Sequence, residues 1–212
     1  MIRLTGVSFA YGPGEAVLAG LDVSLGPGLT LLLGQNGCGK STLLKIAAGV
    51  EMPDRGRVEV DGHDLWAEEV AARRSLAYVP EQPDLTPYAT VREILGLVCR
   101  LRGEPQTAGA EALSRVGLAN LAHRSVREPS MGQRRRAVLA AALVGRPGNV
   151  LLDEPLEAMD RGARDDILAW IDRLIAAGAT IVAVSHDLDP FAARATRALT
   201  VRDGQCIVFD PL

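Results

Sequence analysis

Lysine is nearly missing from this chain: of 23 basic side chains 21 are arginine, and only Lys40 and Lys45 are lysine. Aromatic residues are also scarce, 4% of 212 residues, too few for the stacking platforms that hold single-stranded nucleic acid. Neither charge sign dominates. The 26 acidic side chains leave a formal net charge of −3 and an isoelectric point near 5.7, so the basic footprint of a polyanion binder is lacking and no nucleic-acid partner is expected. The three cysteines, Cys38, Cys99 and Cys206, are odd in number and far apart. They fit neither a disulfide framework nor a zinc site and point to a reducing compartment. No apolar run approaches the ~20 residues of a spanning helix; the longest, residues 174–185, is interrupted by Gly178. The amino terminus has no signal-peptide pattern, so any membrane role is expected to run through a partner.

What is present is a globular composition, 48% hydrophobic and 23% charged. Strand signals fall at residues 2–9, 21–25 and 29–33, each stopped by Gly or Pro. Residues 29–33 are apolar on both faces, as a buried parallel strand requires. A helix is expected over 41–48. Residues 56–60 alternate as a half-buried strand leading into the hairpin-type turn Asp61-Gly62. The pattern turns helical from 83 to about 145: residues 90–102, opened by Thr90 and Glu93 as a capping box, then 108–118 and 131–145. Strands return at 149–152 and 180–184 around a helix at 161–176. Two terminal runs, 197–202 and 205–209, flank the turn Asp203-Gly204. These signals predict one α/β domain over 1–212, with a core of 1–82 and 147–212 interrupted by a helical lobe at 83–146.

Between the strand ending at Leu33 and the next helix lies Gly34-Gln35-Asn36-Gly37-Cys38-Gly39-Lys40-Ser41-Thr42, which fits G-x-x-x-x-G-K-S/T in its expected strand-to-helix setting. Its glycines let successive N–H groups turn inward around phosphate oxygens, and the helix amino terminus adds partial positive charge. Lys40 is expected to reach the β- and γ-phosphates, and the Ser41 hydroxyl to ligate Mg²⁺. A second buried strand ends in Asp153-Glu154. Its first carboxylate suits the metal's water shell and its second an attacking water, as general base. His186 follows the strand 180–184 and so stands at a carboxyl end, where α/β sheets carry ligand groups. Ser130 and Gln133 form a second capping box, and with Gly132 offer another helix amino terminus to an anion.

Taken together, these residues resemble the ATP-binding cassette (ABC) ATPases, the nucleotide-binding subunits of ABC transporters, over essentially the whole chain. The resemblance implies a P-loop NTPase (RecA-like) core with a mainly parallel sheet, an antiparallel β subdomain at the amino terminus and an inserted helical subdomain. It identifies 34–42 as Walker A and 150–155 as Walker B with Glu154 as catalytic glutamate. Met159-Asp160 matches the end of the D-loop, placing Asp160 at a dimer interface, and His186 matches the switch histidine. Tyr11 falls where the family stacks an aromatic ring on adenine. The implied cofactors are ATP and Mg²⁺. The implied partners are a second ABC ATPase chain and a membrane permease, with this chain cytoplasmic and peripheral on the inner face of the membrane.

The sequence departs from the family pattern twice. Ser130-Met131-Gly132-Gln133 occupies the place of Leu-Ser-Gly-Gly-Gln, with Pro129 for Leu and Met131 for the first Gly. Tyr78-Val79-Pro80-Glu81-Gln82 has an extra residue before Gln, so either Glu81 takes that glutamine's place near Mg²⁺, which is the expectation, or the loop shifts and Gln82 serves. Residues 79–93 resemble those of exporter ATPases, which implies export. A soluble ABC ATPase in a non-transport assembly, or a regulatory subunit silenced by Met131, remains open. Cys38 is a loop filler or an oxidisable thiol. Lys45 and the run Arg134 to Arg136 read as ordinary solvated helix surface.

Overall fold

The computed structural model describes residues 1–82, 88–157 and 159–209. Strands β1 (Ile2–Phe9), β2 (Leu18–Leu25) and β3 (Gly28–Leu33) precede helix α1 (Lys40–Ala47), followed by β4 (Arg55–Val60), β5 (His63–Asp64), α2 (Glu69–Arg74) and β6 (Leu76–Val79). Helices α3 (Val91–Arg102), α4 (Gln106–Arg115) and α5 (Met131–Leu143) come next. The chain closes with β7 (Asn149–Asp153), α6 (Arg161–Ala176), β8 (Thr180–Val184), α7 (Asp189–Ala192), β9 (Ala195–Arg202) and β10 (Gln205–Phe209).

Two sheets form. One is antiparallel in the order β2-β1-β4-β5; the other runs β10-β9-β3-β8-β7-β6, parallel throughout except where β10 pairs back on β9. The expected turns close both hairpins: Asp61 and Gly62 have φ of 52° and 86°, Asp203 and Gly204 51° and 71°, the double left-handed pair that matches strand twist.

The strands apolar on both faces feed two cores at once. Leu29 and Leu31 of β3, Val150 and Leu152 of β7 and Ile181 and Ala183 of β8 pack on the α6 side. The alternate residues Leu32, Leu151, Val182 and Val184 face α1 and the antiparallel sheet. A third cluster joins α3, α4 and α5. Helix α5 serves two of them, since Leu139 and Ala142 join the sheet core while Ala137 and Ala140 join the helical one.

The capping box of α3 is present: Thr90 Oγ1 accepts from the Glu93 N–H at 3.2 Å, and Glu93 Oε2 accepts from the Thr90 N–H at 2.7 Å. Thr90→Ala should therefore cost about 1 kcal/mol in urea unfolding. An unchanged midpoint would mean that packing alone holds this helix. Helix α4 begins at Gln106, two residues before the expected start, immediately after Pro105. Strand β6 and the short helices α2 and α7 are not among the elements expected from the sequence. Four-residue β6 is a strand because it pairs in register with β7, from Leu76 opposite Asn149 to Val79 opposite Leu152.

Candidate functional site

Parallel strands bring their carboxyl ends to one edge of the sheet, and four neighbours deliver there. The glycine loop leaves β3, Glu81 follows β6, Asp153 ends β7 with Glu154 just after it, and His186 follows β8. Together they line a cavity of about 420 Å³ with Tyr11, Val17, Asn36, Gly37, Gly39, Lys40, Ser41, Thr42 and Val184. Gln82 does not line it. Gly34 and Cys38 border a neighbouring cavity on the other side of the loop with Thr200 and Arg202.

Lys40 is 5% exposed and its ammonium donates to the carbonyls of Gly34 and Gln35, both at 2.8 Å. The loop is thus folded around its own cation. Gly39, at the helix cap, has φ 107°, and a Cβ there would lie 3.1 Å from Val17 Cγ1, so a side chain would be strained by the angle and crowded against Val17. No side chain caps α1 and its first turn has no acid, which leaves its leading N–H groups for a ligand.

Asp153, 3% exposed, accepts a hydrogen bond from the Ser41 hydroxyl at 3.3 Å. Burial above all, with the nearby Glu81 charge, pushes its carboxyl above the usual range, against the Ser41 bond and the charges of Lys45 and Arg135. A buried carboxylate in this condition is suited to a cation. Among the described residues no three carboxylate, His or Cys side chains cluster tightly enough to hold a metal alone. The donors are instead a few hard oxygens on one wall, the set that Mg²⁺ shares with waters and phosphate oxygens.

Glu154 takes φ of +48°, a left-handed turn that costs a non-glycine residue roughly 1–2 kcal/mol. Its N–H donates to Val184 O at 3.0 Å, which ties the turn to β8. The carboxylate is mostly buried, 12% exposed, with His186 Nε2 3.2 Å from Oε1 and the His186 N–H 3.4 Å from Oε2. Burial raises its pKa, the His186 charge and N–H pull the other way, and neighbouring Asp153 and Glu157 add to the rise. Tyr11 is 60% exposed. Its hydroxyl sits 3.3 Å from Thr42 Oγ1 and its ring stands edge-on to Phe9 at 4.9 Å.

The remaining expected residues lie elsewhere. Ser130, Gly132, Gln133 and Asp160 do not line the cavity. Ser130 and Gln133 cap α5 reciprocally, with Met131 71% exposed beside them. Asp160 caps α6 through Ala163 N–H at 2.9 Å.

Two surface readings need correction. Lys45 is half-buried and close enough for its charge to act on Asp153. Arg135 is 6% exposed and donates to the carbonyls of Glu81, Asp153 and Glu154. A run of three arginines on a helix gives no hint of this, because α5 is packed on two sides.

A family model described as ABC transporter matches residues 18–157. The chain is 37% identical to the Fe(3+) ions import ATP-binding protein FbpC of Streptomyces coelicolor, over 97% of this chain and 60% of that protein. It is likewise 37% identical to the sulfate/thiosulfate import ATP-binding protein CysA of Thermosynechococcus vestitus, over 96% and 62%. It therefore spans about six-tenths of the length of these curated relatives. Among solved structures, a dimeric post-hydrolysis state of the ATP-binding cassette MJ0796 bound to ADP and Pi superposes with a TM-score of 0.85 at 26% identity, covering both chains fully.

Proposed function

The chain belongs to the ABC transporter family, and from that premise we propose that it binds and hydrolyses ATP as the nucleotide-binding subunit of a transporter. The observation that carries this reading is the convergence of Lys40, Ser41, Glu81, Asp153, Glu154 and His186 in one cavity, from four adjacent strand ends. The loop amides from Gly34 to Thr42, with the open end of α1, cradle the phosphates. Lys40 exchanges its loop carbonyls for β- and γ-phosphate oxygens. Tyr11 offers its exposed ring to the base. Ser41, Asp153 and Glu81 hold Mg²⁺, which supplies charge neutralisation to the phosphates. Glu154 accepts the proton of the attacking water and His186 meets the γ-phosphate.

Residues 1–82 and 147–212 form the nucleotide core in this reading, and 83–146 the lobe that offers Ser130, Gly132 and Gln133. These three residues close on ATP held by a second cassette, with Asp160 at the shared face. A similar cassette is dimeric with ADP and Pi, which supports the two-chain arrangement. Among the described residues no helix is long and apolar enough to cross a membrane. The reading includes a separate permease, with this chain on the cytoplasmic face, because the similar proteins are named as ATP-binding proteins of import systems.

Export, the direction suggested by residues 79–93, is not retained. Part of that stretch, 83–87, lies outside the described residues, and the relatives above are named for import of Fe(3+) ions and of sulfate or thiosulfate. We read the direction as uptake.

Mg·ATP turnover by the purified chain, and its co-purification with an integral membrane protein from detergent extracts, test the two halves of this reading. A chain that binds ATP without turnover would be a regulatory subunit. An active chain that never enters the membrane fraction would belong to a soluble assembly. Glu81→Gln removes one charge from the metal wall and should raise the Mg²⁺ needed for half-maximal turnover by about tenfold. An unchanged requirement would take Glu81 out of that role.

A further inference from the structure

Arg135 is buried at a place where burying a guanidinium is costly, and what it does there is not explained by an ion pair. Loss of hydration pulls its pKa down. Its ion pair among the described residues, with Glu157 Oε2 at 3.4 Å, is to a side chain that is 56% exposed and so counts for little, and the Glu81 and Glu154 charges add attraction from further off. The strong contacts are with backbone. Nη1 donates to Glu81 O at 3.1 Å, and Nη2 donates to Asp153 O at 2.8 Å and also to Glu154 O.

Those carbonyls are not arbitrary. They belong to residues at or just past the ends of β6 and β7, whose acidic side chains line the cavity. Glu154 has a left-handed backbone, and that turn sends its carbonyl toward α5 while its carboxylate faces His186. Its peptide N–H is held by Val184 and its carbonyl by Arg135, so the strained turn is fixed from both sides. A planar fork serves the three carbonyls from two separate nitrogens; an ammonium has three donors but concentrates them on one atom and lacks that spread. Arg135 is also five residues beyond Ser130, on the same helix.

We propose that Arg135 is a positioning residue, which holds the Glu154 turn and the Glu81 loop in register with each other and with the helix headed by Ser130. The inference rests on the ATPase reading above. Arg135 touches no part of the phosphate cradle, so its loss acts on turnover and spares nucleotide binding.

The test uses the whole chain with Arg135→Gln and Arg135→Lys, each alone and combined with Glu154→Gln. kcat should fall at least tenfold for the glutamine variant, while KM for Mg·ATP and the affinity for a fluorescent ATP analogue stay within twofold. The lysine variant keeps the charge but not the fork and should recover only part of kcat. In the Glu154→Gln background, single-turnover assays should show little further loss from Arg135→Gln, because both changes remove the same function. Should Arg135→Gln not fold, the lysine variant carries the same comparison. Unchanged kcat, equal losses in kcat and nucleotide affinity, or fully additive losses would each overturn the proposal. An unmodified chain that binds ATP but never hydrolyses it would instead overturn the ATPase reading.

Discussion

Glu154→Gln should reduce ATP turnover by roughly a hundred- to ten-thousandfold, the range for removing a positioned general base. Glutamine keeps the shape and can still accept from the His186 N–H, now 3.4 Å from Oε2, but it cannot take a proton from water. In the proposed reading nucleotide binding rests on the loop around Lys40, so it should survive. The variant should therefore accumulate as an ATP-bound dimer, visible as an ATP-dependent shift in size-exclusion chromatography. Near-normal turnover, or a chain that stays monomeric at saturating ATP, would sink the proposed mechanism.

The same substitution has a second expected effect, of opposite sign. Because burial raises the Glu154 pKa, the folded chain binds this proton more readily than the unfolded chain does. That contribution to stability is complete below the ordinary glutamate pKa and is lost as pH rises through the elevated one. At neutral pH the ionised carboxylate is thus a burden on the nucleotide-free fold, and glutamine lifts it. The variant should melt at a higher temperature than the parent at neutral pH, with the gap closing in acid. A lower melting temperature would show that the His186 contact outweighs desolvation.

The second large effect is expected from Lys40→Arg, which conserves charge and follows this chain's own preference. Lys40 is almost wholly enclosed, its ammonium equidistant from two loop carbonyls at 2.8 Å. A compact donor can swing from those carbonyls to phosphate oxygens. A guanidinium is longer, planar and directional, and would have to displace the loop. Turnover should fall by about a hundred- to a thousandfold, as for removal of a preorganised donor, with weaker binding of the ATP analogue. Activity within threefold of the parent would mean that charge alone suffices at this position.

Much of this site is legible in the sequence because its determinants are short-range. The glycine loop needs only its neighbours to adopt its backbone, so Gly39 and Lys40 announce themselves. The capping boxes at Thr90 and Ser130 close within three residues, and the two Asp-Gly turns close hairpins within two. Apolar strands such as 150–152 are readable because burial on both faces demands it.

What failed to read was set by partners distant in sequence. Strand β6 is four residues long and is a strand only through β7, some seventy positions on. Arg135 and Lys45 look like solvated helix charges until the packing around them is known. The sequence favours Glu81 over Gln82 without deciding between them, and only the end of β6 brings the first to the cavity.

In a chain that otherwise uses arginine for 21 of 23 basic positions, the lysine at residue 40 falls in the glycine loop, where the proposed phosphate chemistry calls for a small cation. The sequence determined that, along with the loop, the caps and the alternation of its strands, because each depends on angles and contacts among near neighbours. Tertiary structure decided which acids face the site and brought Ser41 within 3.3 Å of Asp153 across 112 positions. It also turned Arg135 from surface charge into a brace, since only the packing of parallel strands and helix α5 brings such distant groups into contact.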